Sequence, residues 1–309
     1  FQRATMQTSG QGLFTGTLPG QRAGAVVQFY VASSDGLGCQ AYAPAEGPGS
    51  RALFQVHDTK AAGGSSHRIR VLMTPEDVRT IHEEVNQLSN HRVGATVVYK
   101  DRDVYYDVQV RLKGSGYGRQ DLRAGFNLRF CPDRLFQGVH DGLSLDRNLA
   151  DSGRHRDLVF KHIGNRAGGL PSFYDDMAYL IAPFHNMDGP AQVFLARYGD
   201  GYLDSVYPDG SDGMLFEMEI LYYSDRTVDG RPEGLKRRPN KVLDTDFGDM
   251  GSDKEAYRWN YLIQNHRAED DYSDLMAMVR TFGLSGDAFA SQIGQVLDVD
   301  QWVRLFACQ

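Results

Sequence analysis

Residues 104–130, VYYDVQVRLKGSGYGRQDLRAGFNLRF, constrain the fold more than any other stretch of the chain. Alternating apolar residues predict two strands, 104–112 and 126–130, joined by a glycine-rich turn. That turn carries Lys113, Ser115, Arg119 and Arg123. Glycines let backbone N–H groups approach an anion, and the cations add charge, so the segment can hold a phosphate. The same residues also make a plain hairpin turn with solvated cations, and spacing alone favours that reading.

At 309 residues the chain has room for one large domain and a small one. Its 41 % hydrophobic content suffices for a folded core. The net charge of -7 gives no chain-wide argument for binding nucleic acid. No apolar run is long enough for a membrane span. Residues 1–12 lack the apolar core of a signal peptide. Cys39, Cys131 and Cys308 are widely spaced, which argues against a structural zinc site and leaves one disulfide open.

Residues 1–58 read as all-β, with strands at 25–32 and 53–56 between glycine- and proline-rich turns. The phrase GAVVQFYVASSDGLGCQAYAP resembles the later strands of fibronectin type III-like or immunoglobulin-like surface modules. Fewer than 60 residues make only part of such a sandwich. TKAAGGSS, residues 59–66, reads as a linker. A helix follows, with Thr74 as N-cap, Pro75 at its first position, and Val78, Ile81, Val85 and Leu88 on one face. Residues 155–167 predict a second helix with Leu158, Val159 and Ile163 inward, ended by Gly168, Gly169 and Pro171. Strands are expected at 95–99, 177–181, 192–197 and within 213–223, and helices near the end. The order is α+β.

Several motifs fail on inspection. The turn is neither a Walker A loop nor a dinucleotide fingerprint, since Arg119 stands where the third glycine belongs. Asp246-Phe247-Gly248 matches a kinase metal motif in letters only, without a catalytic loop closely before it. Asp244, Asp246, Asp249, Asp253 and Glu255 approach calcium-loop spacing, but Asp249 takes the place of the required glycine. His155 and His162 lack metal spacing and fit surface or helix-packing roles, while Glu217 and Glu219 alternate on one face of a strand and would repel unless a cation or an arginine sits between them.

Taken in order, YYDVQVRLKGSGYGR, FNLRF, LFQGVHDGLSLDRN, IGNRAGGLPSFYDD, SDGMLFEMEILYY and VDQWVRLFA make residues 67–309 resemble the CotH kinase family, named for a spore-coat protein. The resemblance implies a reduced, two-lobe protein-kinase-like domain, truncated at its C-terminus and preceded by a partial β-sandwich module. It implies ATP and Mg2+ as cofactors, a secreted or coat protein as substrate, and an extracellular, cell-surface or spore-coat location. Lys113, Ser115, Arg119 and Arg123 are then expected to bind the nucleotide. Arg123 lies near where many members carry a lysine, and the two are not interchangeable.

The Pro-Trp-Asp motif that holds the family's metal is missing. The last helix, starting near Asp298 or Asp300 and burying Trp302, Val303 and Phe306, is expected to stop at a cut. The catalytic and metal-binding aspartates are therefore expected beyond residue 309, leaving an inactive ATP-binding part of an atypical kinase. The alternative from the same resemblance is a non-catalytic coat or cell-surface assembly protein. A third reading is an extracellular carbohydrate- or protein-binding module, with residues 1–58 as its adhesive part.

Overall fold

The computed structural model describes residues 1–56, 67–114, 119, 123–147, 155–172, 175–184, 187–194, 199–218, 221–222, 242–243, 247–258 and 260–308. The expected linker therefore lies outside the described residues, as do Ser115, Asp244, Asp246 and Glu219.

The N-terminal part holds β1 (Gln7–Gly10), β2 (Leu13–Thr15), β3 (Val26–Gln28), β4 (Val31–Ser34), β5 (Gln40–Ala43) and β6 (Leu53–Gln55). They pair as three separate two-stranded sheets, β1–β2, β3–β6 and β4–β5, not as a partial sandwich. β1, β2, β4 and β5 are exposed along their whole length, so these ladders enclose no sandwich core.

The centre is a closed barrel. Its strands are β7 (His67–Leu72), β8 (Val93–Tyr99), β9 (Asp103–Lys113), β10 (Gly125–Arg129), β11 (Gly142–Asp146), β12 (Asp175–Ile181) and β13 (Gly189–Phe194), with α1 (Pro75–His82) and α2 (Arg156–Ala167) between them. The order is β10-β11-β13-β12-β7-β8-β9, and β9 pairs with β10 to close it. All neighbours are antiparallel except β7 and β12, where Ala178 stands beside His67 in a parallel pair. This closed mixed barrel corrects the two-lobe kinase-like expectation. The local patterns were sound, but the β7–β12 and β11–β13 partnerships are long-range and leave no periodic trace in sequence.

The barrel strands alternate as their β-branched composition predicts. Val71, Ala95, Val97, Val108, Val110, Leu112, Leu128, Leu145 and Leu180 are buried in one cluster, joined by Val78 and Ile81 of α1. Each such valine, leucine or isoleucine side chain contributes about 1.5–3 kcal/mol of transfer free energy. Helix α1 starts as expected: Thr74 Oγ1 accepts from Asp77 N at 3.1 Å, with Pro75 beside the cap.

Strand β9 carries one extra residue against β8, between the pairs Ala95–Val108 and Val97–Tyr105. Asp107 sits in this bulge at φ 56° and turns its carboxylate away from the core. It receives Ser50 Oγ at 2.9 Å and Arg51 N at 2.5 Å. Leu53 N donates to Thr96 Oγ1, and Arg51 Nε meets Asp77 at 2.6 Å. Residues 50–53 are thereby fastened to the barrel wall.

Helix α2 corrects its predicted face. Val159 and Ile163 are exposed, while the buried Gly164 turns toward Ser172. The buried side follows the Lys161 pairing described below.

The C-terminal part holds α3 (Asp200–Val206), β14 (Phe216–Met218), β15 (Leu221–Tyr222), β16 (Val242–Leu243), α4 (Lys254–Arg258), β17 (Tyr261–Ile263), α5 (Ser273–Phe282), α6 (Gly286–Val296) and α7 (Val299–Cys308). Tyr257, Tyr261, Ile263, Tyr272, Leu275 and Val279 form a second core. The expected face of α5 is confirmed at Tyr272, Leu275 and Val279. That of α7 is not: Trp302 is half-buried against Phe282, while Val303 and Phe306 are exposed. All three cysteines are free thiols.

Candidate functional site

The glycine turn joins β9 to β10 at the rim of the barrel. Lys113 ends β9 opposite Gly125, the first residue of β10. A Cβ on Gly125 would lie 2.1 Å from the Leu145 carbonyl oxygen, so glycine is required there for β11 to pack. Asp146 lies one residue further along β11. Lys113 Nζ reaches it, 2.5 Å from Oδ2, with both side chains about one-third exposed. Gly114 follows at φ 109°, a conformation that favours glycine.

Arg119 turns the other way. Its buried guanidinium donates to Gly114 O (2.6 Å), Ser89 O (3.1 Å), Gln87 O (3.4 Å) and Asn90 Oδ1 (3.3 Å). It clamps the turn to the connection between α1 and β8, which is a positioning role rather than a ligand contact. Arg123 is exposed on the returning side, two residues before Gly125. Lys113 thus ends β9, Arg123 lies two residues before β10, and Arg119 between them in sequence is bound to the 87–90 connection.

Asp146 is the site residue that sequence reasoning missed. Alternation along β11 signals it: Leu143 and Leu145 point inward, so Ser144 and Asp146 point outward. A second missed group lies beneath α2. Lys161 pairs with Asp175 at the start of β12, where the carboxylate is wholly buried. Gln192 Nε2 donates to the same carboxylate at 2.7 Å.

The other motifs are bound into local structure. Asp249 accepts from Gly251 N and from the Tyr257 hydroxyl, and the Gly251 amide chiefly holds its carboxyl below the usual range. Glu255 meets Arg258, and Phe247 lies near Tyr261 and Phe282. His162 meets Arg166, while Glu217 is exposed. Among the described residues no three His, Cys, Asp or Glu gather as a metal site. Among the described residues no helix is long and apolar enough to cross a membrane.

The site is a cationic glycine turn on the rim of a mixed β-barrel. No family model matches this chain, and no curated protein matches it.

Proposed function

We propose that the β9–β10 turn binds the phosphates of ATP, and that the chain is the nucleotide-holding part of a system that phosphorylates secreted or coat proteins. The observation that carries this reading is the placement of Lys113. Its amine stands at the end of β9, oriented by Asp146 across Gly125 rather than lost to solvent. A lysine oriented by a carboxylate is a suitable point charge for a phosphate oxygen. Arg123 adds a second cation, and Gly114 leaves the backbone open to approach. The resemblance to the CotH kinase family supplies the reaction class, the substrate class and the coat or cell-surface location.

The donors at the turn fit a triphosphate. They do not fit magnesium, because the one described carboxylate beside them, Asp146, is bound to Lys113. Arg119 is left out of the ligand set, since its donors are placed on loop oxygens.

Equilibrium titration with ATP tests the proposal. Lys113→Ala and Arg123→Ala should each weaken binding about tenfold, the loss of one charge-assisted contact. Equal affinity in wild type and both variants would remove the turn as a nucleotide site. The alternative, a non-catalytic surface or coat assembly protein, would then stand.

A further inference from the structure

The outer face of β9 and β10 collects cations beside the glycine turn. Val110, Leu112 and Leu128 are buried inward, so Gln109, Arg111, Lys113, Asn127 and Arg129 face outward. Arg111 stands opposite Asn127, and Arg129 opposite Gln109. Arg92 crosses β9 to enter the same face, donating to Asn127 O at 3.0 Å and to Asn127 Oδ1 at 2.5 Å. Asn127 in turn donates to Ser144 Oγ at 2.9 Å, which holds that row in place.

The carboxylates of these strands are engaged locally. Asp103 meets Arg102, Asp107 holds residues 50–51, and Asp146 holds Lys113. Arg129 is exposed and has neither an ion pair nor a side-chain hydrogen bond among the described residues. In a chain of net charge -7, this is a local reversal of sign. Like charges on neighbouring strand positions repel, and an anion laid over them relieves the repulsion.

The geometry points to a docking face for an acidic segment of a polypeptide, extended along β9 and β10 toward the glycine turn. Alternate residues of an extended chain lie about 7 Å apart, the same repeat as Arg111 and Lys113 on β9. Carboxylates on one side of such a segment therefore meet Arg111 and its diagonal neighbour Arg129, while Lys113 stays with Asp146. The overall negative charge disfavours a long polyanion such as nucleic acid, whose field extends beyond the face. The face deepens the reading above: it names the substrate as an acidic protein segment brought beside the nucleotide turn.

Fluorescence anisotropy with a labelled deca-glutamate peptide, and a deca-lysine control, tests the face. Wild type should bind deca-glutamate and not deca-lysine, with affinity falling as salt rises. Arg111→Glu/Arg129→Glu should weaken deca-glutamate binding at least about tenfold while leaving ATP affinity unchanged within about twofold. ATP affinity unchanged in Lys113→Ala, with peptide binding kept, would fault only the nucleotide reading. If the double variant fails to fold by circular dichroism, Arg129→Glu alone should still weaken peptide binding severalfold. The proposal is overturned if wild type binds neither peptide or both equally, or if the variants bind deca-glutamate as wild type does. It is equally overturned if duplex DNA or anionic vesicles bind the face more tightly, or if the peptide is excluded by a second copy of the chain in sedimentation.

Discussion

Lys161 on α2 and Asp175 on β12 form an ion pair whose carboxylate has no exposure to solvent. Gln192 bonds one carboxylate oxygen, and the other, Oδ1, is buried without a partner. Such a pair fixes where α2 sits on the barrel. It does so at a desolvation cost that only the intact pair offsets.

Removing one partner should therefore cost more than removing both. Lys161→Met should destabilise the protein by about 3–5 kcal/mol, because it strands a buried carboxylate. Lys161→Met/Asp175→Leu should recover most of that loss. Urea unfolding of both variants checks the ordering; a double variant less stable than the single one would refute it.

The bulge at Asp107 makes a second prediction. Asp107→Ala keeps a left-handed backbone without the carboxylate that receives Ser50 and Arg51. The loss of two hydrogen bonds to a charged group should cost about 2–4 kcal/mol. Hydrogen exchange at the Arg51 amide should accelerate, while the amides of β10 remain protected. Unchanged exchange at Arg51 would show that the bulge does not hold this segment.

Two strand glycines should respond unequally to alanine. At Gly125 the added methyl meets the backbone oxygen of Leu145 at 2.1 Å, and backbone cannot step aside. At Gly94 it meets the Arg51 Cγ at 2.4 Å, within a side chain that can swing away. Gly125→Ala should lose about 3 kcal/mol or more, and Gly94→Ala about 1 kcal/mol. Thermal unfolding checks this, and equal losses would argue against the packing assigned to β11.

His82 sets a pH dependence. Burial lowers its pKa from the ordinary 6.5, only partly countered by the hydrogen bond to the Val78 carbonyl. Its ring packs edge-on to Phe184 at 4.3 Å, and Nε2 is buried without a partner. Below pH 6.5 the unfolded chain takes up a proton that the folded chain refuses. Stability should therefore fall as pH drops from 6.5 toward the lowered folded value, where the fall ends. His82→Gln should flatten that limb. The acid limb near pH 4 and below should remain, because Asp270 is held well down chiefly by Arg258, with Asp249 and Asp271 also lowered.

Local structure was legible where a short signal settles it. Thr74 and Pro75 announce α1, and alternation marks β8 to β10 within a residue or two. Lys113 was legible for the same reason, as the last residue of a clear strand. Arg119 was not: its charge suggests a ligand contact, while its guanidinium is committed to the carbonyls of Gln87 and Ser89. Val159, Ile163, Val303 and Phe306 misled because helical spacing shows that apolar residues share a face, not that anything covers that face. The bulge left no mark because aspartate, not glycine, takes the left-handed position. The barrel stayed hidden because the β7–β12 and β11–β13 partners are remote in sequence.

The parallel seam between β7 and β12 also orders events during synthesis. His67–Leu72 leaves the ribosome before its partner Asp175–Ile181, and α1, β8, β9, β10, β11 and α2 lie between them in the chain. Until then one edge of β7 offers unpaired amides and carbonyls to any passing strand. The nascent chain is thus most exposed to mispairing between those two moments.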